Sequence, residues 1–271
     1  MSMDELHIGR VTRLPKAPRS EWASILSLAP SALAMFPARD IAHQTLELVS
    51  NGTNNTRFLS VLTRAQADLR AARVPVIVNQ HRAHRQLVLP SDLKRPKRRW
   101  LGQLALELYF TQLFRSDSAI LDLSSSRLGV DDAGDAVWCP RPLYVHWDPD
   151  FLQGIRDLYA GFFLGEEQRF GNGIAQLGLG SAGGRLLEHL GEDDQRGVRF
   201  SVANLQSTLR GISAARTKDD GRLHRNTIAF GLYVASLHEL LESVDLAFDV
   251  RSAFMRTHRR QLASDALIGK S

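Results

Sequence analysis

The chain has 271 residues, 44% hydrophobic and 23% charged, the proportions of a globular protein with a core and not of a disordered one. Its single cysteine excludes an intramolecular disulfide and any multi-cysteine zinc or iron–sulfur site. The net charge of +5 is uneven: from Arg64 to Arg115 eleven Arg or Lys face Asp68, Asp92 and Glu107, a local excess of +8 that leaves the remainder at −3, so attraction to polyanions is expected in that segment.

In chain order, residues 1–19 alternate basic residues with Pro15 and Pro18 and lack periodicity, which predicts a flexible arm. No apolar run marks a secretory signal there. Residues 20–271 are expected to form one helix-rich domain, with a possible subdivision near 148. Ser20 reads as the cap of a short helix stopped by Pro30. ARDIAHQTLELVSNG predicts a helix with Ile41, Thr45, Leu48 and Val49 on one face and a stop at Asn51-Gly52. A further helix over about 56–72 places Phe58, Leu62, Ala65 and Leu69 at helical spacing.

The pattern changes at Arg73. VPVIV (74–78) and QLVLP (86–90) read as short strands around the polar NQHRAHR. A long helix is expected from about 97 to 114, then a strand at AILDL (119–123). RLGV and DAVWC flank DDAG, a hairpin signal because the glycine permits positive φ. LYVHW (143–147) is a further strand candidate. Asp148-Pro149-Asp150 is a strong helix start: a capping carboxylate, proline in the first turn, and a second acid near the positive end of the macrodipole. Only helices are expected after it, among them 195–216, 224–243 and one capped by Asp249. The fold class is therefore helix-dominated α+β, with a small sheet and hairpin from about residues 74–147 and an all-helical C-terminal half. The longest largely apolar stretch, 227–241, is shorter than the roughly 20 residues of a membrane span. The expectation is a cytoplasmic protein with no membrane partner.

The basic segment carries the leading functional expectation. Arg82 and Arg85 lie in HRAHR, and Lys94, Arg95, Lys97, Arg98, Arg99 and Trp100 lie in KRPKRRW at a helix start. Such cations neutralise phosphates, and an adjoining tryptophan can stack on a base. Cations at a helix N-terminus also oppose the macrodipole, so helix stability alone does not account for them. A solvated basic face, or one that pairs with the acidic remainder of the chain, is the plain alternative. The reading is a non-catalytic binding protein whose basic surface contacts an anionic partner, nucleic acid before other polyanions, with a protein partner also open.

Other chemistry is thinner. His81-x-x-His84, and Asp40-x-x-His43 with Glu47, have no further ligands nearby and no Glu-x-x-His occurs, so neither metal nor cofactor is expected. LGLGSAGGR (177–185) follows a helix and lacks Lys-Ser/Thr, which makes it a connection before a short LLEHL helix and not a phosphate loop. An enzyme of unrecognised family would draw on Asp122, Cys139, His146 and Asp148, with Cys139 and His146 brought together if 135–139 pairs with 143–147. A purely structural subunit is a third class, for which a large exposed apolar patch would be the sign. The order of long helix, strand, hairpin and helix loosely resembles part of a protein-kinase catalytic lobe. No His-Arg-Asp, catalytic-loop asparagine or Asp-Phe-Gly stands at those places. The resemblance therefore implies at most a degenerate, inactive relative.

Overall fold

The computed structural model describes residues 36–79, 87–183, 185, 197–215 and 223–268. The arm of residues 1–19, the helix after Ser20, the HRAHR segment and the LLEHL helix lie outside them. Among the described residues the fold is α+β and dominated by helices, with three small sheets.

Helices α1 (Ala38–Thr53) and α2 (Asn55–Ala71) come first. The expected stop at Asn51-Gly52 falls slightly late, because Asn54 ends the first helix and caps the second, its Oδ1 accepting the Arg57 amide at 3.0 Å. α2 buries Phe58, Leu62, Ala65 and Leu69 as its spacing predicts. α1 is rotated from its expected face: Gln44 and Leu48 are buried, whereas Leu46 and Val49 are exposed.

β1 (Val76–Val78), β3 (Leu128–Val130) and β4 (Ala136–Trp138) form a sheet in the order β1-β4-β3. β3 and β4 are the antiparallel hairpin expected around DDAG, with Leu128 opposite Trp138. Its turn is set by Asp131, whose Oδ1 accepts the amides of Ala133 and Asp135, and by Gly134 at φ +88°. β1 joins β4 in parallel. Val88 makes only a single bridge to Val130, so QLVLP does not become a full strand.

β2 (Ser118–Ile120) pairs antiparallel with β5 (Tyr144–His146) in a separate two-stranded sheet. Residues 135–139 do not pair with 143–147, the condition under which Cys139 and His146 would have met. The intervening Pro140-Arg141-Pro142 carries the chain from one sheet to the other, and those prolines cannot donate to a ladder.

At the centre lies α3 (Arg95–Arg115), in which every residue from Leu104 to Phe114 is buried. Glu107, Thr111 and Gln112, the polar side chains of that buried run, all have partners. Glu107 accepts from Arg256 Nε at 2.8 Å and Arg260 Nη1 at 3.0 Å, and Thr111 donates to the Glu107 carbonyl. Gln112 donates to the Tyr233 hydroxyl at 2.7 Å and accepts the Ile120 amide at 2.8 Å. Without such partners each group would cost about 1–3 kcal/mol.

α4 (Pro149–Leu164) begins where expected, with Asp148 Oδ1 accepting the amides of Asp150 and Phe151. It packs closely on α5 (Glu167–Leu177) through glycines: a β-carbon at Gly173 would stand 2.6 Å from the Leu158 nitrogen. The later chain is not wholly helical. A ribbon of β6 (Val198–Arg199) and β7 (Ala247–Phe248) links α6 (Val202–Ala215), α7 (Thr227–Val244) and α8 (Val250–Ile268). The helix expected over 195–216 therefore starts only at Val202.

α8 runs in the same direction as α3: Phe248 rests on Gly102, Phe254 on Phe110 and His258 on Phe114. α7 runs the other way, stacking Tyr233 on Tyr109 and reaching the β2–β3 connection through Ser236 and Glu239. One hydrophobic cluster extends from Leu48 to Phe254 and draws on residues either side of 148. Each fully buried large side chain contributes about 1.5–3 kcal/mol. Among the described residues no helix is long and apolar enough to cross a membrane.

Candidate nucleic-acid interface

Residues 94–100 run from an extended approach into the first turns of α3. Lys94 is the N-cap, with extended backbone and no capping side-chain bond; Pro96 pre-sets the first turn. No acid stands in that turn. The helix thus starts with cations against its own positive end, an arrangement that costs about 0.3–1 kcal/mol per charge.

The structure sorts the expected cations into three groups. Arg82 and Arg85 are outside the described residues. Lys97 is engaged: Nζ donates to the Gly134 carbonyl at 2.6 Å and lies 3.9 Å from the centroid of the Trp100 ring. Arg98 is half-buried. Lys94, Arg95 and Arg99 are exposed, and among the described residues no carboxylate lies within ion-pair distance of them. Two exposed arginines elsewhere are matched, Arg64 by Asp117 at 3.1 Å and Arg199 by Asp245 at 2.6 Å, whereas others such as Arg57, Arg73 and Arg251 have no carboxylate within ion-pair distance among the described residues.

Arg95 and Arg99 are four apart and share a stripe of the helix; Pro96 and Trp100 form the next stripe, about 100° round. Trp100 is half-buried against the core. With Lys94, Pro96 and Lys97 it lines an open groove of about 440 Å³. Pro96 was not singled out in the sequence, although its i, i+4 spacing to Trp100 was visible there.

The alternative catalytic residues do not converge. Asp122 is 2% exposed. Its carboxylate accepts from Arg141 Nε at 2.7 Å, Arg141 Nη2 at 2.9 Å, the Arg141 amide at 2.9 Å and Ser124 Oγ at 2.7 Å. Burial raises its pKa, but the Arg141 contacts outweigh that and hold the carboxyl below its usual range. Cys139 is buried, its amide donating to the Arg127 carbonyl.

His146 is exposed and sits opposite Ser118 in the β2–β5 ladder. Ser118 begins β2 and Asp122 lies beyond its end at Ile120, so His146, opposite Ser118, stands at the other end of the strand from the Asp122–Arg141 pair. Asp148 caps α4. Its neighbour, missed in the sequence, is His224, whose Nε2 lies 3.7 Å from Asp148 Oδ1 and whose ring packs on Phe151. His224 Nδ1 accepts the Asn226 amide, so the neutral ring carries its proton on Nε2. Burial lowers the His224 pKa and Asp148 opposes this only in part.

Among the described residues no three His, Cys, Asp or Glu side chains cluster to hold a metal ion. His43 is exposed on α1, while Asp40 and Glu47 are half-buried on it; His81 and His84 are outside the described residues. No protein-family model matches this chain, and no curated protein is significantly similar to it.

Proposed function

We propose that this is a cytoplasmic binding protein that holds an anionic partner, nucleic acid before other polyanions, on the exposed start of α3. The observation that carries the reading is the set of Lys94, Arg95 and Arg99, exposed and unmatched by carboxylates among the described residues, on a helix turn whose own stability they oppose. Phosphates neutralise such cations and release counterions, which gives affinity without sequence preference. The turn at 131–135 takes up Lys97 through the Gly134 carbonyl, whereas no carboxylate among the described residues meets Lys94, Arg95 or Arg99.

The test is fluorescence anisotropy of labelled oligonucleotides of unrelated sequence at low salt. The wild type should bind all of them, and the Lys94→Ala/Arg95→Ala/Arg99→Ala variant should bind all of them more weakly. An Arg64→Ala/Arg199→Ala control, which removes two matched arginines, should bind as the wild type does. Absence of binding, or equal losses in both variants, refutes the reading.

A further inference from the structure

The residues that begin α4 and α7 are bonded to each other, and one histidine meets both. Asp148 is the N-cap of α4 and Asn226 that of α7. The carboxamide oxygen of Asn226, a residue 2% exposed, accepts the Asp148 amide at 3.2 Å. The Asn226 amide donates to His224 Nδ1 at 3.2 Å, while His224 Nε2 lies 3.7 Å from Asp148 Oδ1. That same oxygen accepts the amides of Asp150 and Phe151 at the head of α4. The imidazole is held against Phe151, the ring centroids 5.1 Å apart and the planes tilted by 32°. Both ring nitrogens therefore face groups that start a helix. This leaves neither nitrogen for general-base work, but it gives protonation of the ring a structural consequence.

Nδ1 accepts the Asn226 amide only while it carries no proton, since both nitrogens of an imidazolium are donors. A proton at Nδ1 would set two N–H groups against each other, so that bond must open. The new charge also attracts the Asp148 carboxylate, which at 3.7 Å is beyond hydrogen-bond reach of Nε2. An oxygen drawn toward the ring holds the α4 amides less firmly. We propose that His224 is a proton-operated latch between the starts of α4 and α7: neutral, it holds the Asn226 amide; protonated, it releases Asn226 and pairs with Asp148. The charged groups facing the ring among the described residues are Asp148 and Asp150 at the start of α4 and Arg225 in its own turn. Burial is the largest influence and, with Arg225, opposes the imidazolium, whereas Asp148 and Asp150 favour it. Burial prevails, so the latch opens below the ordinary histidine value of 6.5. The latch is independent of the polyanion reading above.

The test is an NMR titration of the full chain, labelled with 15N in its histidine rings and backbone amides, downward from pH 8 until the fold is lost. A His224→Gln variant assigns the ring signals. At the start of the titration the His224 ring should carry its proton on Nε2. Its midpoint should fall below 6.5, and the Asn226 and Asp150 amide signals should shift with that same midpoint. In His224→Gln those two shifts should vanish. Asp148→Asn keeps an oxygen to cap α4 but removes the anion, and should move the His224 midpoint lower still. A neutral ring protonated on Nδ1 overturns the latch. So do Asn226 and Asp150 amides that stay still while the ring titrates, a ring that remains neutral until the protein unfolds, or a midpoint that Asp148→Asn leaves unchanged.

Discussion

His238 should make the protein's stability depend on pH between neutrality and pH 4. It lies on α7, 1% exposed, with Nδ1 3.2 Å from the Ser201 carbonyl and its ring edge-on to Phe200. Burial pushes its pKa down to about 4, and the Ser201 carbonyl recovers only part of that. In the unfolded chain the group titrates near 6.5. The unfolded state therefore binds the proton first as pH falls, so the contribution is complete above about pH 6.5 and is lost progressively toward pH 4. A separation of about 2.5 units corresponds to about 3 kcal/mol at the acid limit, of which about 2 kcal/mol falls between pH 7 and pH 5. His238→Asn keeps a donor near the Ser201 carbonyl and removes the titration. Urea unfolding of both proteins at pH 7, 6 and 5 isolates the effect, because every other titrating group is common to them and cancels. The wild type should lose about 2 kcal/mol more than the variant over that range. Parallel pH profiles would refute the reasoning.

Asp122→Asn leaves the Arg141 guanidinium without its charge partner and should cost about 3–5 kcal/mol in chemical denaturation. A paired replacement of Asp122 and Arg141 by apolar residues should cost far less. Gly173→Ala gains about 1 kcal/mol of helix propensity but drives a methyl group against the Leu158 backbone. Net destabilisation of about 1–3 kcal/mol is expected, and a raised melting temperature would show that α4 and α5 separate easily. Cys139, 2% exposed, should react with a thiol reagent only after unfolding; rapid reaction of the native protein contradicts its burial.

Local signals were readable where the chain closes on itself within a few residues. The DDAG hairpin and the Asp148-Pro149-Asp150 cap form as their residue types demand, because the partners are backbone groups two to four positions away. Long-range choices were not. Nothing in VPVIV announces a parallel partner some sixty residues later in the chain, and the β6–β7 ribbon joins two segments of two residues each, too short to show alternation. Glu107, Thr111 and Gln112 interrupt the apolar pattern of α3. Each is buried with a partner, two of them drawing on α7 or α8, so the helix is central on every side.

The candidate site divides the same way. KRPKRRW presented its five cations as equivalent, and the contact that separates Lys97 from the rest comes from Gly134, 37 positions on. Asp122 read as a free carboxylate because Arg141 approaches it only in the folded chain, and His224 beside the Asp148 cap was hidden for the same reason.

The most direct test of the central claim is the salt dependence of oligonucleotide binding. The logarithm of the binding constant, plotted against the logarithm of salt concentration, should fall along a straight line. For a single strand the slope of the Lys94→Ala/Arg95→Ala/Arg99→Ala variant should be shallower by about 2, since each phosphate contact contributes about 0.7. Equal slopes in the two proteins, or affinity that salt does not alter, would contradict the account.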